Sequence, residues 1–137
     1  MKDSMNYYHT FICVSPDTRA TTGIEPQGES VAAREFRMIR EASYQHTQEE
    51  ILFQVEMSRK GVIVTTENRD LLWGEFFAKS RACLRASGLV RRHGWGIHFD
   101  QEGRAALHAM DSARYAELAG GADGVKVVNG MRTSRKA

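Results

Sequence analysis

The alternation of apolar and polar residues predicts a strand at the start of the chain, followed by a loop. The β-branched and aromatic run YYHTFICV, residues 7–14, ends at the turn signal Ser15-Pro16-Asp17, as is typical of a strand. Both prolines and two glycines then fall within residues 15–30, which show little apolar periodicity. We expect residues 15–30 to be a flexible loop, because so long a segment without a regular pattern is unusual in a compact domain.

Three segments with helical periodicity follow this loop. They cover residues 30–42, 49–60 and 67–80. Ser30 is a candidate N-cap of the first helix. Thr47 and Glu50 have the spacing of a capping box at the start of the second, and Gly61 is placed to end it. The middle of the chain is therefore expected to be helical.

The apolar pattern then changes to a period of two, which predicts strands. The strand candidates are residues 82–87, 94–99, 104–110 and 125–128. A short loop with Gly103 joins the second and third of these, so we expect a hairpin. Ser112 is a candidate N-cap of a short helix over residues 113–120. This order predicts an α+β fold, with a mostly antiparallel sheet of four to five strands packed against two to four helices.

The length of 137 residues predicts a single domain, with residues 129–137 as a basic C-terminal tail. No apolar run approaches the roughly 18 residues that span a bilayer, and the first residues lack the pattern of a signal peptide. We therefore expect a cytoplasmic protein without membrane contact. Cys13 and Cys83 have no neighbour at metal-binding spacing, so free thiols and no cofactor are expected.

The net charge of +2 is unevenly distributed along the chain. Residues 78–99 contain five basic residues and no acid, and residues 126–137 contain four and no acid. The remainder carries ten basic and seventeen acidic residues, a net charge of −7. Most of the chain would repel a polyanion, and no nucleic-acid-binding motif is present. Nucleic acid is therefore not an expected partner, and weak binding to it is kept only as a further alternative.

One face of the predicted sheet collects side chains with chemical potential. If residues 82–87 are extended, every second side chain points to the same face. The side chains expected on that face are those of Cys83, Arg85, Ser87, His98 and His108. Gly94 and Gly96 would let a ligand approach the backbone closely. Such a face is suited to a small anionic ligand or to an acidic protein partner, because a guanidinium pairs with carboxylate or phosphate.

Three interpretations of this face remain open: a solvated sheet surface, an anion-binding site and an active site. The anion-binding residues would be Arg85, Ser87, Arg92, Trp95 and His98. Trp95 would form an apolar platform, although its burial in the core is the favoured alternative. In an active site, the Cys83 thiolate beside His98 would attack a carbonyl. A metal site is not predicted, because His98 and His108 have no carboxylate or thiolate at ligand spacing.

Four segments resemble a family of small bacterial proteins of unknown function, domain-of-unknown-function family 6157. They are NYYHTFICVSPD, YQHTQEEILFQV, FFAKSRACLRASGLVRRHGWGIHFDQEGRAALHAM and MRTSRKA. The positions that match the family pattern include Arg85, Arg92, Trp95 and His98. The family usually has proline at the position of Gly88 and tyrosine at that of His93. The resemblance implies a single cytosolic domain and brings no activity. We expect a non-enzymatic binding or interaction module, with a cysteine-dependent enzyme as the alternative.

Overall fold

The structure of this chain is a computed structural model that describes residues 4–133. Its four strands are β1 (Thr10–Cys13), β2 (Trp95–Phe99), β3 (Ala105–Ala109) and β4 (Lys126–Asn129). They form one sheet in the order β3-β2-β1-β4. The β2–β3 hairpin and the β1–β2 pair are antiparallel, whereas β4 runs parallel to β1. The predicted α+β class with a mostly antiparallel sheet is confirmed.

Five α-helices lie in the described part of the chain. They are α1 (Val31–Glu41), α2 (Gln48–Arg59), α3 (Arg69–Phe77), α4 (Gly88–Arg91) and α5 (Ala113–Ala119). Ser30 and Ser112 cap α1 and α5 with their side chains, and Thr47 and Glu50 form both hydrogen bonds of the capping box at the start of α2. These N-caps confirm the predicted helix starts, and the four-residue helix α4 is the one that was not predicted.

The sheet separates two apolar clusters. On one face, Ile97 and Phe99 of β2 pack with side chains from α1, α2 and α4 in the main core. On the other face, Phe11 of β1 packs with Leu118 of α5 and with Val125. Because side chains alternate along a strand, the His98 side chain points to the α5 side, whereas those of its neighbours Ile97 and Phe99 point to the side covered by α1, α2 and α4. The sheet therefore divides the candidate residues between two surfaces.

The segment over residues 82–87 is not a strand, and the prediction that it was one is wrong. Cys83 precedes a single 3₁₀ turn over Leu84–Ala86, and Ser87 is the N-cap of α4. The Leu84 N–H donates to the side-chain oxygen of buried Gln48 at 2.7 Å, so a side chain takes the place of a neighbouring strand. The shared sheet face inferred for Cys83, Arg85 and Ser87 does not exist.

Several contacts connect residues 15–30 to the rest of the domain. The Ile24 N–H donates to His93 O at 2.9 Å, and Trp95 Nε1 donates to Ile24 O at 2.9 Å. Thr22 Oγ1 donates to Asp111 at 2.7 Å. Gly94 has a φ of +77°, and a Cβ there would lie 2.1 Å from Thr22 O, so the close approach of this segment requires glycine. The predicted flexibility of residues 15–30 stays a prediction.

The chain after β4 returns to the domain. The Gly130 N–H donates to Cys13 O, and the Met131 N–H donates to Arg85 O. Thr133 bonds to the Asp17 carboxylate through its N–H and its hydroxyl. The last four residues of the predicted basic tail, 134–137, lie outside the described residues. Between residues 4 and 133, no helix is long and apolar enough to cross a membrane.

Candidate functional site

A cavity of about 470 Å³ lies between α1, α2 and the segment that leads into α4. Its polar lining includes the side chains of Glu35, Cys83, Ser87, Arg92 and His93. Its apolar lining includes Val31, Ala32, Leu52, Ala82 and Ala86. We call this cavity the Glu35 pocket. Three of its lining residues, Cys83, Ser87 and Arg92, were singled out from the sequence, although the geometry that brings them together is not the predicted sheet face.

Glu35 is the buried acid of this pocket. Its residue surface is 4% exposed, and its Oε1 accepts a hydrogen bond from Ser87 Oγ at 2.7 Å. Within residues 4–133, Ser87 is the only side chain that bonds to this carboxyl group. Burial raises the pKa of Glu35 to about 7, and the Ser87 hydrogen bond opposes part of that rise. The carboxyl group therefore titrates near neutral pH.

Sequence reasoning missed Glu35, although the helix contained a signal for it. Ala32, Phe36 and Ile39 were recognised as positions i, i+4 and i+7 of the apolar stripe. Glu35 occupies position i+3 of the same stripe and is buried with it. An ionisable residue in an apolar stripe is either paired or has a perturbed pKa, so its position alone marked it as a candidate.

Ser87 links Glu35 to the start of α4. Its hydroxyl donates to Glu35 and accepts the Leu89 N–H at 3.0 Å. One side chain thus caps a helix and provides the hydrogen bond to the buried acid. Any change at Ser87 would consequently affect both the local fold and the protonation of Glu35.

Arg92 is the cation of the pocket. Its side chain is exposed, and its guanidinium forms no hydrogen bond or ion pair with the described residues. Burial, and secondarily the charge of Arg92, lower the pKa of the adjacent His93. His93 is therefore mainly neutral at pH 7, and the positive charge of the pocket comes from Arg92.

Cys83 lies in the same pocket but does not pair with His98. Tyr7 Oη donates to Cys83 Sγ at 3.4 Å, and burial together with Cys83 raises the pKa of Tyr7 to about 12. The ring of Tyr7 packs against Phe99, on the side of the sheet that is covered by α1, α2 and α4. Since His98 lies on the α5 side, the predicted Cys83–His98 arrangement is wrong.

The remaining predicted site residues lie outside the pocket lining. Arg85 Nε donates to Asn129 O at 2.7 Å, which fixes its side chain against the chain after β4. Trp95 packs against Phe36, with ring centroids 5.2 Å apart, and is partly buried against the main core. Trp95 is therefore neither fully buried in the core nor part of the Glu35 pocket.

His98 belongs to a second polar cluster, with Tyr44 and His108. The Tyr44 hydroxyl is 2.8 Å from His98 Nδ1 and 3.2 Å from His108 Nε2. Burial is the main cause that lowers the pKa of both imidazoles, and the charge of Arg114 lowers both further. A phenol between two neutral imidazoles forms a satisfied polar network. Among the described residues, no group of three or more His, Cys, Asp or Glu side chains could hold a metal ion.

The fold and the pocket define a small α+β protein with a buried acid and an exposed cation in one cavity. The model of a protein family described as a family of unknown function (DUF6157) matches residues 1–136 of the chain. The chain belongs to this family, which confirms the resemblance noted in the sequence. No curated protein and no solved structure matches the chain.

Proposed function

We propose that this protein is a non-enzymatic binding module that holds a small anionic ligand in the Glu35 pocket. The observation that carries the proposal is the position of Arg92, which lines this cavity and whose side chain has no hydrogen-bond or ion-pair partner among residues 4–133. A cavity of about 470 Å³ is within the size range of small-molecule sites. In line with the sequence, we propose that the protein is bacterial and acts in the cytoplasm.

The charged and the apolar lining residues of the pocket would bind different parts of the ligand. Arg92 can form two parallel hydrogen bonds to a carboxylate or phosphate group. The apolar lining on α1, α2 and residues 82–86 can bury the remainder of the ligand. Arg85 and His98, which were expected to contribute, lie elsewhere and have no part in this proposal. An acidic protein partner could use Arg92 alone, but would leave the cavity unused.

A titration of the protein with anionic probes tests the proposal. Binding of hexanoate and of inorganic phosphate is measured by calorimetry at pH 6.5, for the wild type and for Arg92→Ala. A charge-assisted hydrogen bond contributes about 1.5 to 3 kcal/mol, so this variant should bind at least about tenfold more weakly. Arg114→Ala is the matched control, because Arg114 belongs to α5, away from the pocket lining, and is paired with Glu117 and Asp123.

The control should bind like the wild type. Equal affinity of Arg92→Ala and the wild type would overturn the assignment of Arg92. If the wild type binds neither hexanoate nor inorganic phosphate, the proposed function is overturned.

A cysteine-dependent enzyme is the second candidate, and one observation favours it. Cys83 lines the same pocket as Glu35, a carboxyl group that can accept a proton near neutral pH. The test is the rate at which iodoacetamide alkylates Cys83 in the native protein at pH 7.5, measured by mass spectrometry with Cys13 as the internal reference. Alkylation faster than that of a free thiol would support a reactive nucleophile, whereas slow alkylation would reject the enzyme.

A further inference from the structure

Glu35 and Arg92 place a buried acid and a cation at one cavity. Glu35 is a buried carboxyl group at the same cavity as Arg92, and Ser87 is its only hydrogen-bond partner among the described residues. When ionised, this group repels a second negative charge. When protonated, it can donate a hydrogen bond to an anion. The charge state of Glu35 and the binding of an anion are therefore coupled.

The titratable and charged groups around Glu35 come from two directions. Residues 81–93 contribute Arg81, Cys83, Arg92 and His93, and α2 contributes Glu56. Two of these groups are already engaged: Glu56 with Arg59 and Lys60, and Arg81 with the ring and carbonyl oxygen of Phe76. Neither contact of Arg81 neutralises its charge, but Arg81 does not line the Glu35 pocket. Among the described residues that do line it, Arg92 is the one Lys or Arg, so Arg92 is the cation available to a ligand there.

This charge balance favours a monoanion. A carboxylate would neutralise Arg92, and its second oxygen could accept the proton of Glu35. A phosphate dianion would bring an excess negative charge towards a buried carboxyl group, which has a high electrostatic cost in a poorly solvated site. The apolar lining is suited to a short hydrocarbon chain or ring attached to the carboxylate.

We propose that the Glu35 pocket binds small apolar monocarboxylates together with one proton, which Glu35 carries. This inference rests on the proposed function and specifies its ligand class and its regulation by pH. Arg92 pairs with the carboxylate, and the protonated Glu35 donates to it. No covalent bond forms or breaks in the ligand. Because burial raises the pKa of Glu35 to about 7, the required proton is available near neutral pH.

The pH dependence of hexanoate binding tests this inference. Above pH 7 the wild type must take up a proton to bind, so its affinity should fall by about tenfold for each further pH unit. At pH 8, binding should take up close to one proton. This uptake is measured by calorimetry in buffers of different ionisation enthalpy. The lowered pKa of His93 keeps its imidazole neutral in this range, so it does not supply the proton.

Glu35→Gln is the decisive variant, since glutamine keeps the shape of the side chain and always carries an N–H donor. It should bind hexanoate with an affinity that does not change between pH 7 and 8.5, without proton uptake. Glu41→Gln is the matched control, because Glu41 is the exposed acid at the end of the same helix. The control should retain the pH dependence and the proton uptake of the wild type.

The failures of the two proposals can be distinguished. Hexanoate binding that requires Arg92 but involves no proton uptake in the wild type would overturn this inference and leave the proposed function intact. Tighter binding of inorganic phosphate than of hexanoate at pH 7 would do the same. If neither anion binds the wild type between pH 6 and 8.5, both proposals are overturned. The wild-type measurements are sufficient even if Glu35→Gln does not fold.

Discussion

Replacement of Glu35 by glutamine should make the protein more stable at alkaline pH. Glu35 is nearly fully buried, and burial is the main cause that raises its pKa from an ordinary value of 4.5 to about 7. The folded protein therefore holds the proton more tightly than the unfolded chain does. Between pH 4.5 and 7 the folded state binds more protons, so the free energy of unfolding decreases as the pH rises through this range.

The magnitude follows from the two pKa values. Their difference corresponds to about 3 kcal/mol, all of which is lost above pH 7 because Glu35 must then be ionised in its buried site. Glutamine has no charge to bury, and its carbonyl oxygen can still accept the hydrogen bond from Ser87. We expect Glu35→Gln to be about 2 to 3 kcal/mol more stable than the wild type at pH 8, and to match it at pH 4.5.

Urea unfolding followed by circular dichroism at pH 4.5, 6 and 8 measures this difference. His98 and His108, whose pKa values are lowered in the folded state, decrease stability as the pH falls below 6.5. They do so equally in both proteins, so the difference between variant and wild type isolates Glu35. The exposed Glu41→Gln should show no such trend. A difference between Glu35→Gln and the wild type that is the same at all three pH values would refute the reasoning.

Three further predictions concern the framework around the pocket. Trp95→Phe removes the N–H that donates to Ile24 O, so amide hydrogen exchange in the segment around Ile24 should become faster, measured by mass spectrometry. Tyr44→Phe removes the hydroxyl between two imidazoles and should cost about 1 to 2 kcal/mol in urea unfolding at pH 7.5. Gly96→Ala would place a Cβ 2.5 Å from the Phe11 ring and should lower the free energy of unfolding by about 1 to 3 kcal/mol. Gly74→Ala, in open space within a helix, should raise it by about 0.5 to 1 kcal/mol.

Each of these predictions has a comparison that can contradict it. Unchanged exchange in Trp95→Phe would show that other contacts hold residues 15–30. For Tyr44, the control is Tyr8→Phe, because the side chain of Tyr8 is 52% exposed, and an equal effect of both changes would argue against the network. If the two alanine variants change the free energy of unfolding in the same direction, the steric account of Gly96 is wrong.

The sequence was informative wherever a local pattern determines structure. Ser30, Thr47 and Ser112 are N-caps because their side chains accept a backbone N–H, and that requirement is visible in the order of residue types. The alternation in residues 94–99 predicted a strand, and Trp95–Phe99 form β2. Local chemistry of this kind needs no information about distant residues.

The pocket depends on contacts between distant residues, and the sequence pattern could not supply them. Residues 82–87 alternate like a strand, but Gln48, 36 positions away from Leu84, accepts its backbone N–H and favours a turn. Arg85 and Arg92 look alike in a sequence, yet a backbone carbonyl accepts the N–H of the first and only the second lies at the cavity. The place of Glu35 in an apolar stripe indicated that it would be buried, but no sequence pattern indicated that Ser87 would be its hydrogen-bond partner.

The most direct test of the central claim is a crystal structure of the protein soaked with hexanoate at pH 6.5. We predict density for the ligand in the Glu35 pocket, with its carboxylate within hydrogen-bonding distance of both Arg92 and Glu35 and its hydrocarbon chain against Val31 and Leu52. An empty pocket at a saturating concentration of hexanoate, or a carboxylate bound elsewhere on the protein, would contradict the account.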